Sequence, residues 1–196
     1  MTVFSVIFGG ISFMRTNQLF LSMIKNPLLT GAVAPSSKYL ANAMAREAAG
    51  DQPLVELGAG TGAITQGLIQ RFPDKHLIAV EYQPDLAKRL AQRFAKVDVK
   101  QATAKDVIDH LPFTEKGYIL VSSLPFRSLP ESVHQETVRS ILTLLQHNPL
   151  SKLIQFTYGR IAPFAVPADF HWRFVTRVWR NVPPAAVWEL KFLDKK

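Results

Sequence analysis

Residue types able to do chemistry gather first in the stretch Val55–Ile69, VELGAGTGAITQGLI. An apolar run carrying one acid, Glu56, meets Gly58, Ala59, Gly60 and Gly62 in quick succession. Glycine has no Cβ, so the chain turns tightly there and a ligand can approach the backbone. A helix starting after the turn offers free N–H groups to that ligand. One glycine would mark an ordinary turn, whereas three in alternation between a strand and a helix point to a nucleotide-type ligand. A second acid, Glu81, closes the apolar run LIAVE. A carboxylate in that place accepts from two ribose hydroxyls at once. A third group is SSLPF, Ser122–Phe126. Pro125 fixes the backbone so that preceding carbonyls can point at an incoming amine. Phe126 offers a face for a base or a cationic headgroup. The plain alternative is a proline turn over a core phenylalanine.

Two ligands fit the glycines. Gly58, Gly60 and Ala63 also satisfy the dinucleotide pattern G-x-G-x-x-G/A. Three features favour something else. Glu56 sits two residues before Gly58, where a carboxylate can meet a cationic amino group. Gly62 adds a further close approach. At 196 residues, the chain is short for a dinucleotide fold plus a substrate domain.

Other chemistries are poorly supplied. There is no cysteine, which excludes disulfides, zinc ribbons and thiolate nucleophiles and fits a reducing cytosol. His76, His110, His134, His147 and His171 are scattered, with no i,i+4 pair, so no metal site is expected. The formal charge of +8 draws the surface to phosphate, on nucleic acid or on an anionic membrane.

The elements that must position these residues follow from periodicity. Asn17–Asn26 pairs Leu19 with Met23 and Phe20 with Ile24, as in a short amphipathic helix. Ser36 or Ser37 can cap a second, alanine-rich helix. From Pro53 on, apolar runs alternate with helical stretches, one of them opened by Pro84. That alternation means a parallel sheet with helices on both faces. The end differs: WRFVTRVWR and AVWELKF flank NVPPA as a hairpin, with one strand antiparallel. The expected division is an N-terminal helical arm, 1–50, and a main domain, 51–196. The apolar stretch Val3–Met14 is too short to span a bilayer; it is either a membrane-embedded arm or sequence upstream of a natural start at Met14.

VELGAGTG with AVEYQPDLAKRL resembles the first two motifs of class I S-adenosylmethionine-dependent methyltransferases. The resemblance runs from about Pro53 to the end of the chain. It implies an α/β, Rossmann-like fold, with a mostly parallel seven-stranded sheet, an antiparallel C-terminal hairpin and helices on both faces. It also implies S-adenosylmethionine as cofactor. Glu56 and Gly58, Ala59, Gly60 and Gly62 would face its methionine part, Glu81 its ribose and Tyr82 its adenine. One place departs from the family, which often has Gly-Asp-Ala after the third strand. Here QATAKD puts Thr103 at the acid's position, followed by Ala104, so either Thr103 or Asp106 is left to meet the adenine amine. Ser122 completes the expected cofactor contacts.

Base-N-methylating relatives carry an Asn/Asp/Ser-x-Pro-aromatic tetrad after the fourth strand, and Ser123-Leu124-Pro125-Phe126 fits it loosely. Charge and tetrad support an RNA adenine dimethylase. NPLLTGAVAPSSKYLANAMA, SSLPFRSLP, QFTYG and NVPPAAVW instead resemble bacterial phospholipid N-methyltransferases from Asn17 onward. The sequence also stops after the hairpin, where rRNA dimethylases continue into a further helical domain. The expectation is stepwise methylation of phosphatidylethanolamine towards phosphatidylcholine, on the inner face of the membrane. Carbonyls from Ser122 to Leu124 and the Tyr158 hydroxyl would orient the amine. Phe126, Tyr158 or Tyr39 would face the methylated headgroup, and Arg127 or Arg160 the lipid phosphate. Leu19, Phe20, Met23 and Ile24 would dock on an anionic bilayer. A cofactor-binding protein without catalysis is a third reading, against which the whole tetrad argues.

Overall fold

The short apolar runs LVEL, LIAV and ILVS become strands whose side chains are covered on both faces, as a parallel sheet between helix layers requires. A computed structural model describes residues 36–193. The expected docking residues Leu19, Phe20, Met23 and Ile24 lie outside that range. The chain runs α1 (Lys38–Glu47), β1 (Leu54–Leu57), α2 (Ala63–Arg71), β2 (Leu77–Val80), α3 (Pro84–Arg93), β3 (Asp98–Lys100), α4 (Ala104–Asp109) and β4 (Ile119–Ser122). It continues through α5 (Glu131–His147), β5 (Lys152–Tyr158), β6 (Phe170–Val178) and β7 (Ala185–Phe192).

The sheet order is β3-β2-β1-β4-β5-β7-β6. Strands β1 to β5 are mutually parallel, and β7 runs antiparallel to both β5 and β6. The chain builds outward from β1 to β3, then returns to the other side of β1 with β4. The carboxyl ends of β1 and β4 therefore flank a topological switch point, where open α/β sheets bind ligands.

One face of the sheet packs Leu54, Ile119, Val121 and Ile154 under Leu40 and Met44 of α1 and Ile64 and Leu68 of α2. Gly67 lets these helices touch: a Cβ there would stand 3.2 Å from the Cβ of Ala41. Helix α1, expected as part of an arm, is thus built into the core. The other face packs Val55, Leu57, Leu120 and Leu153 under Ile141 and Leu145 of α5. Helix starts follow local rules. Ser37 accepts from the Leu40 N–H, Pro84 opens α3, and Thr103 accepts from the Asp106 N–H.

A polar network ties α1 to the C-terminal hairpin. Glu189 on β7 is buried and meets Arg173 Nε at 3.0 Å and Lys152 Nζ at 3.7 Å. Arg173 also reaches Glu47, and Lys152 Nζ donates to the Glu47 and Ala49 carbonyls, placing a cation at the end of α1. Burial alone would raise the Glu189 carboxyl. The Arg173 hydrogen bond and the charges of Lys191, Arg173 and Lys152 outweigh it and bring the group below the ordinary carboxylate value. Its contribution to stability is therefore present above the unfolded-state value and lost as pH falls through the folded one. Glu189→Ala strands two cations and should cost about 3 kcal/mol, the low end for a buried pair because Arg173 is half-exposed. Urea titrations should show that difference near neutrality and its shrinkage in acid.

Candidate active site

Strand β1 delivers Glu56 in the middle of its buried run. The side chain has no exposure. Its Oε2 accepts from the Thr65 hydroxyl at 2.6 Å, while Oε1 is buried with no hydrogen-bond partner. Desolvation, only partly offset by Thr65, pushes the carboxyl up from its ordinary value to about 8, with the nearby Glu81 adding to the rise. An orphaned acceptor of this kind is a place for a donor, and a cation suits it best.

The glycines then divide three tasks. Gly58, Gly60 and Gly62 all have left-handed φ, at 76°, 56° and 83°. A Cβ on Gly58 would lie 2.9 Å from Leu124 Cδ2, so this glycine admits the loop after β4. A Cβ on Gly62 would lie 2.6 Å from Phe94 Cε2 and 2.8 Å from Leu90 Cδ2, so this one admits α3. The expected ligand approach at Gly62 is corrected accordingly, since its neighbour is protein. Over Gly60 the nearest atom is the Gly58 carbonyl at 4.0 Å, and the space is open. Gly60 is the position where a ligand can meet backbone.

Glu81 does more than wait for hydroxyls. Its Oε2 accepts from the Gly60 N–H and its Oε1 from the Gln83 N–H, both at 2.8 Å. The carboxylate thereby pins the glycine loop to the end of β2. Each oxygen keeps a lone pair for a further donor. Tyr82 follows it on the surface. Thr103 is engaged locally: its hydroxyl accepts from the Asp106 N–H and donates to Asp106 Oδ2 at 2.7 Å, closing the first turn of α4 before Ala104 continues it. Thr103 and Asp106 thus form one unit, which resolves neither as the adenine contact.

The Ser123 N–H donates to the Leu57 carbonyl at 2.9 Å, stitching the tetrad to the end of β1. Ser122 Oγ accepts from the Leu124 N–H. A pocket opens beyond, lined by Ser123 to Ser128, Gln155 to Tyr158 and Pro163. The Leu124 carbonyl, expected to orient an amine, already accepts from the Phe126 N–H at 2.9 Å and from Gln155 Nε2 at 3.1 Å, so its lone pairs are taken. The Ser123 carbonyl accepts no hydrogen bond among the described residues. Phe126 is only 4 % exposed and packs edge-on against Phe164 at 4.8 Å. It is a wall of the pocket and not an open stacking platform. Tyr158 brings a buried hydroxyl beside Asn181; burial raises its pKa, and the Asn181 side chain partly offsets that rise.

Of the remaining expected contacts, Arg127 lines the pocket and Arg160 is exposed outside its lining. Tyr39 is corrected: its ring lies under the guanidinium of Arg180 at 4.9 Å and near the Lys38 ammonium. Gln155 was missed. Its Nε2 donates to the Leu124 and Phe156 carbonyls, which fixes the amide's orientation and leaves Oε1 buried without a partner. The signal was present as one amide inside the apolar strand KLIQFTY.

A family described as "methyltransferase domain" matches residues 54–148. An ornithine lipid N-methyltransferase of Singulisphaera acidiphila is 32% identical over 185 residues, covering 87% of this chain and 93% of that one. A ribosomal RNA small subunit methyltransferase A of Methylibium petroleiphilum is 30% identical, over 69% of this chain and 54% of its own length. The chain thus spans about half the length of that relative. Among solved structures, the Burkholderia thailandensis 1,6-didemethyltoxoflavin-N1-methyltransferase, with bound S-adenosylhomocysteine, superposes with a TM-score of 0.64 at 16% identity, covering 98% of this chain and 94% of that one. The chain belongs to the class I S-adenosylmethionine-dependent methyltransferases. Within that class it is an N-methyltransferase.

The residues fit S-adenosylmethionine: an orphaned Glu56 oxygen for its ammonium, open backbone at Gly60, and spare lone pairs on Glu81 for hydroxyls. When bound, it supplies a methyl group on a sulfonium, which a neutral amine can attack once held in line.

Gly60→Ala should keep the fold, losing about 1 kcal/mol to left-handed strain, while S-adenosylmethionine affinity by calorimetry falls at least tenfold, which is about 1.4 kcal/mol. Gly62→Ala should do the reverse, costing about 3 kcal/mol in stability through contact with Phe94 and Leu90.

Glu56 also predicts a pH dependence. Its folded value is above its unfolded value, so its favourable contribution is complete below the unfolded value of 4.5 and is lost towards about 8. The ligand-free protein should lose roughly 1.4 kcal/mol per pH unit across that window relative to Glu56→Gln. Binding the cofactor's ammonium should release a proton near neutrality, read as a buffer-dependent enthalpy that the variant lacks.

Proposed function

We propose that the enzyme N-methylates the amine headgroup of a membrane lipid, with phosphatidylethanolamine, carried towards phosphatidylcholine, as the substrate. The observation that carries this reading is the make-up of the pocket beyond the tetrad. It holds two open acceptors, the Ser123 carbonyl and Gln155 Oε1, and it is lined by Tyr158, whose hydroxyl is buried beside Asn181. It has apolar walls and no carboxylate in its lining, and Arg127 stands at its edge. Acceptors suit the N–H groups of a primary amine. The absence of a carboxylate beside them, together with a nearby cation, favours the neutral, nucleophilic form of that amine. Arg127 suits the phosphate that accompanies it. The similarity to an ornithine lipid N-methyltransferase over nearly its whole length supports a lipid acceptor.

A second reading, methylation of an RNA base, has one observation in its favour: the similarity to a ribosomal RNA small subunit methyltransferase A over 69% of this chain. The burial of Phe126, which takes the tetrad's aromatic away from an incoming base, weighs against it.

Labelled S-adenosylmethionine should be incubated with vesicles of phosphatidylethanolamine, vesicles of ornithine lipid, and ribosomal RNA. Label in phosphatidylethanolamine is expected. Label confined to ornithine lipid would change the headgroup, and label confined to RNA would overturn the lipid reading. Tyr158→Phe should lower the transfer rate about tenfold, the effect of one hydrogen bond in the transition state, with cofactor affinity changed less than about twofold.

A further inference from the structure

The connection from β6 to β7, residues 179–184, stands at the same end of the sheet as the pocket. Val178 pairs with Ala185, and Ala185 pairs in turn with Tyr158 at the end of β5. The segment after β5 emerges beside it, curled back by the Thr157 hydroxyl, which donates to the Ile161 carbonyl at 3.2 Å. Three large apolar side chains are left in solvent here: Trp179 at 66% exposure, Val182 at 80% and Ile161 at 62%. None belongs to a core cluster.

The charges around them have one sign. The Arg177 guanidinium lies 4.7 Å over the Trp179 ring. Arg180 lies 4.9 Å over Tyr39, and the Ser37 N–H donates to Asn181 Oδ1, which brings the start of α1 and Lys38 to the same rim. The stretches at this end, 36–40, 123–130, 158–163 and 176–186, contain no aspartate or glutamate. Elsewhere the described surface mixes signs, as in the Lys100–Asp98 and Lys105–Asp109 pairs.

We infer that the β6–β7 tip and the loop after β5 are the docking surface by which the enzyme seats itself on an anionic lipid bilayer, with the acceptor pocket turned towards the headgroups. Exposed tryptophan prefers the bilayer interface, where its ring is buried and its N–H stays hydrated. Arginines beside it gain from the negative surface potential of anionic lipid. An acid-free rim removes the repulsion that such a surface would otherwise meet. The Pro163 end of the loop after β5 also lines the pocket, so docking brings the lipid surface to the place where the amine is held. The inference rests on the lipid reading for its purpose and on exposure and charge for its location.

The test uses the full chain and the double variant Trp179→Glu with Val182→Glu. Both positions are exposed, so melting temperature and cofactor affinity should match the wild type. Sedimentation with vesicles of phosphatidylcholine and phosphatidylglycerol should fall at least tenfold in the variant, and wild-type binding should weaken as salt rises. Methyl transfer to phosphatidylethanolamine in those vesicles should fall in step. Transfer to dihexanoyl phosphatidylethanolamine, dissolved as monomers, should stay within about twofold, because no surface is needed. Brominated lipid should quench wild-type fluorescence, and Trp179→Phe should remove that quenching even if the double variant folds poorly. Undiminished vesicle binding by a folded double variant, or quenching that survives Trp179→Phe, would overturn the surface. So would vesicle-independent loss of RNA binding in the variant, which would make this an RNA-facing rim. Failure of the wild type to methylate either form of the lipid would overturn the lipid reading separately, whatever the vesicles show.

Discussion

The site depends on one adjacency: β1 and β4 lie side by side in the sheet although two strands, β2 and β3, come between them in the chain. Their carboxyl ends are stitched by the Ser123 N–H and the Leu57 carbonyl. From that stitch the chain leaves in two directions. After β1 it turns through glycines into α2, and after β4 it turns through Pro125 into a short 3-10 turn. Gly58 lacks a side chain because Leu124 needs its space. The donor half and the acceptor half of the reaction are thus in van der Waals contact before either ligand arrives. In-line methyl transfer needs that fixed relation more than it needs a strong acid or base.

Among the described residues three acids are buried, and each is handled differently. Glu189 is surrounded by cations and held below the ordinary carboxylate value, which makes it a structural tie. Glu81 spends one lone pair on each oxygen on backbone N–H groups and so fixes the loop it serves. Glu56 has a hydroxyl on one oxygen and nothing on the other, and burial lifts it to about 8. Only the last leaves charge compensation undone. A protein that buries an uncompensated acceptor loses stability unless a ligand supplies the missing donor. Of the three, Glu56 is the one whose free oxygen suits a ligand's cation, a difference the sequence alone does not show.

The parallel sheet, the terminal hairpin and the glycine loop were legible because hydrophobic periodicity and glycine spacing are local signals. The division of labour among the glycines was not. Gly62 is explained by Phe94 and Leu90, some thirty residues away, and Gly58 by Leu124, further still. The saturation of the Leu124 carbonyl by Gln155 is likewise a contact between strands. Phe126 looked available in sequence because an aromatic after a proline suits stacking. Phe164 and His134 occupy its ring edges in the fold. Tyr39 suits a headgroup by residue type alone, whereas in the fold Arg180 from the hairpin stacks on its exposed ring. In each case the missing information was the partner across the sheet.

The two halves of the sheet also differ in kind. Strands β1 to β3, with their loops, bring backbone N–H groups, glycines and carboxylates, which suit a ligand that every member of the class shares. Strands β5 to β7 bring side chains: Gln155 and Tyr158 at the pocket, and the tip with Trp179 and Val182. The antiparallel insertion of β7 between β5 and β6 is what makes this possible. A parallel strand would need a helical crossover, which would cover the sheet end beside the pocket. A hairpin needs only six residues between Val178 and Ala185, and leaves its turn projecting past Tyr158. That turn can therefore change in length and side chains without disturbing the glycine loop on the far side of β1.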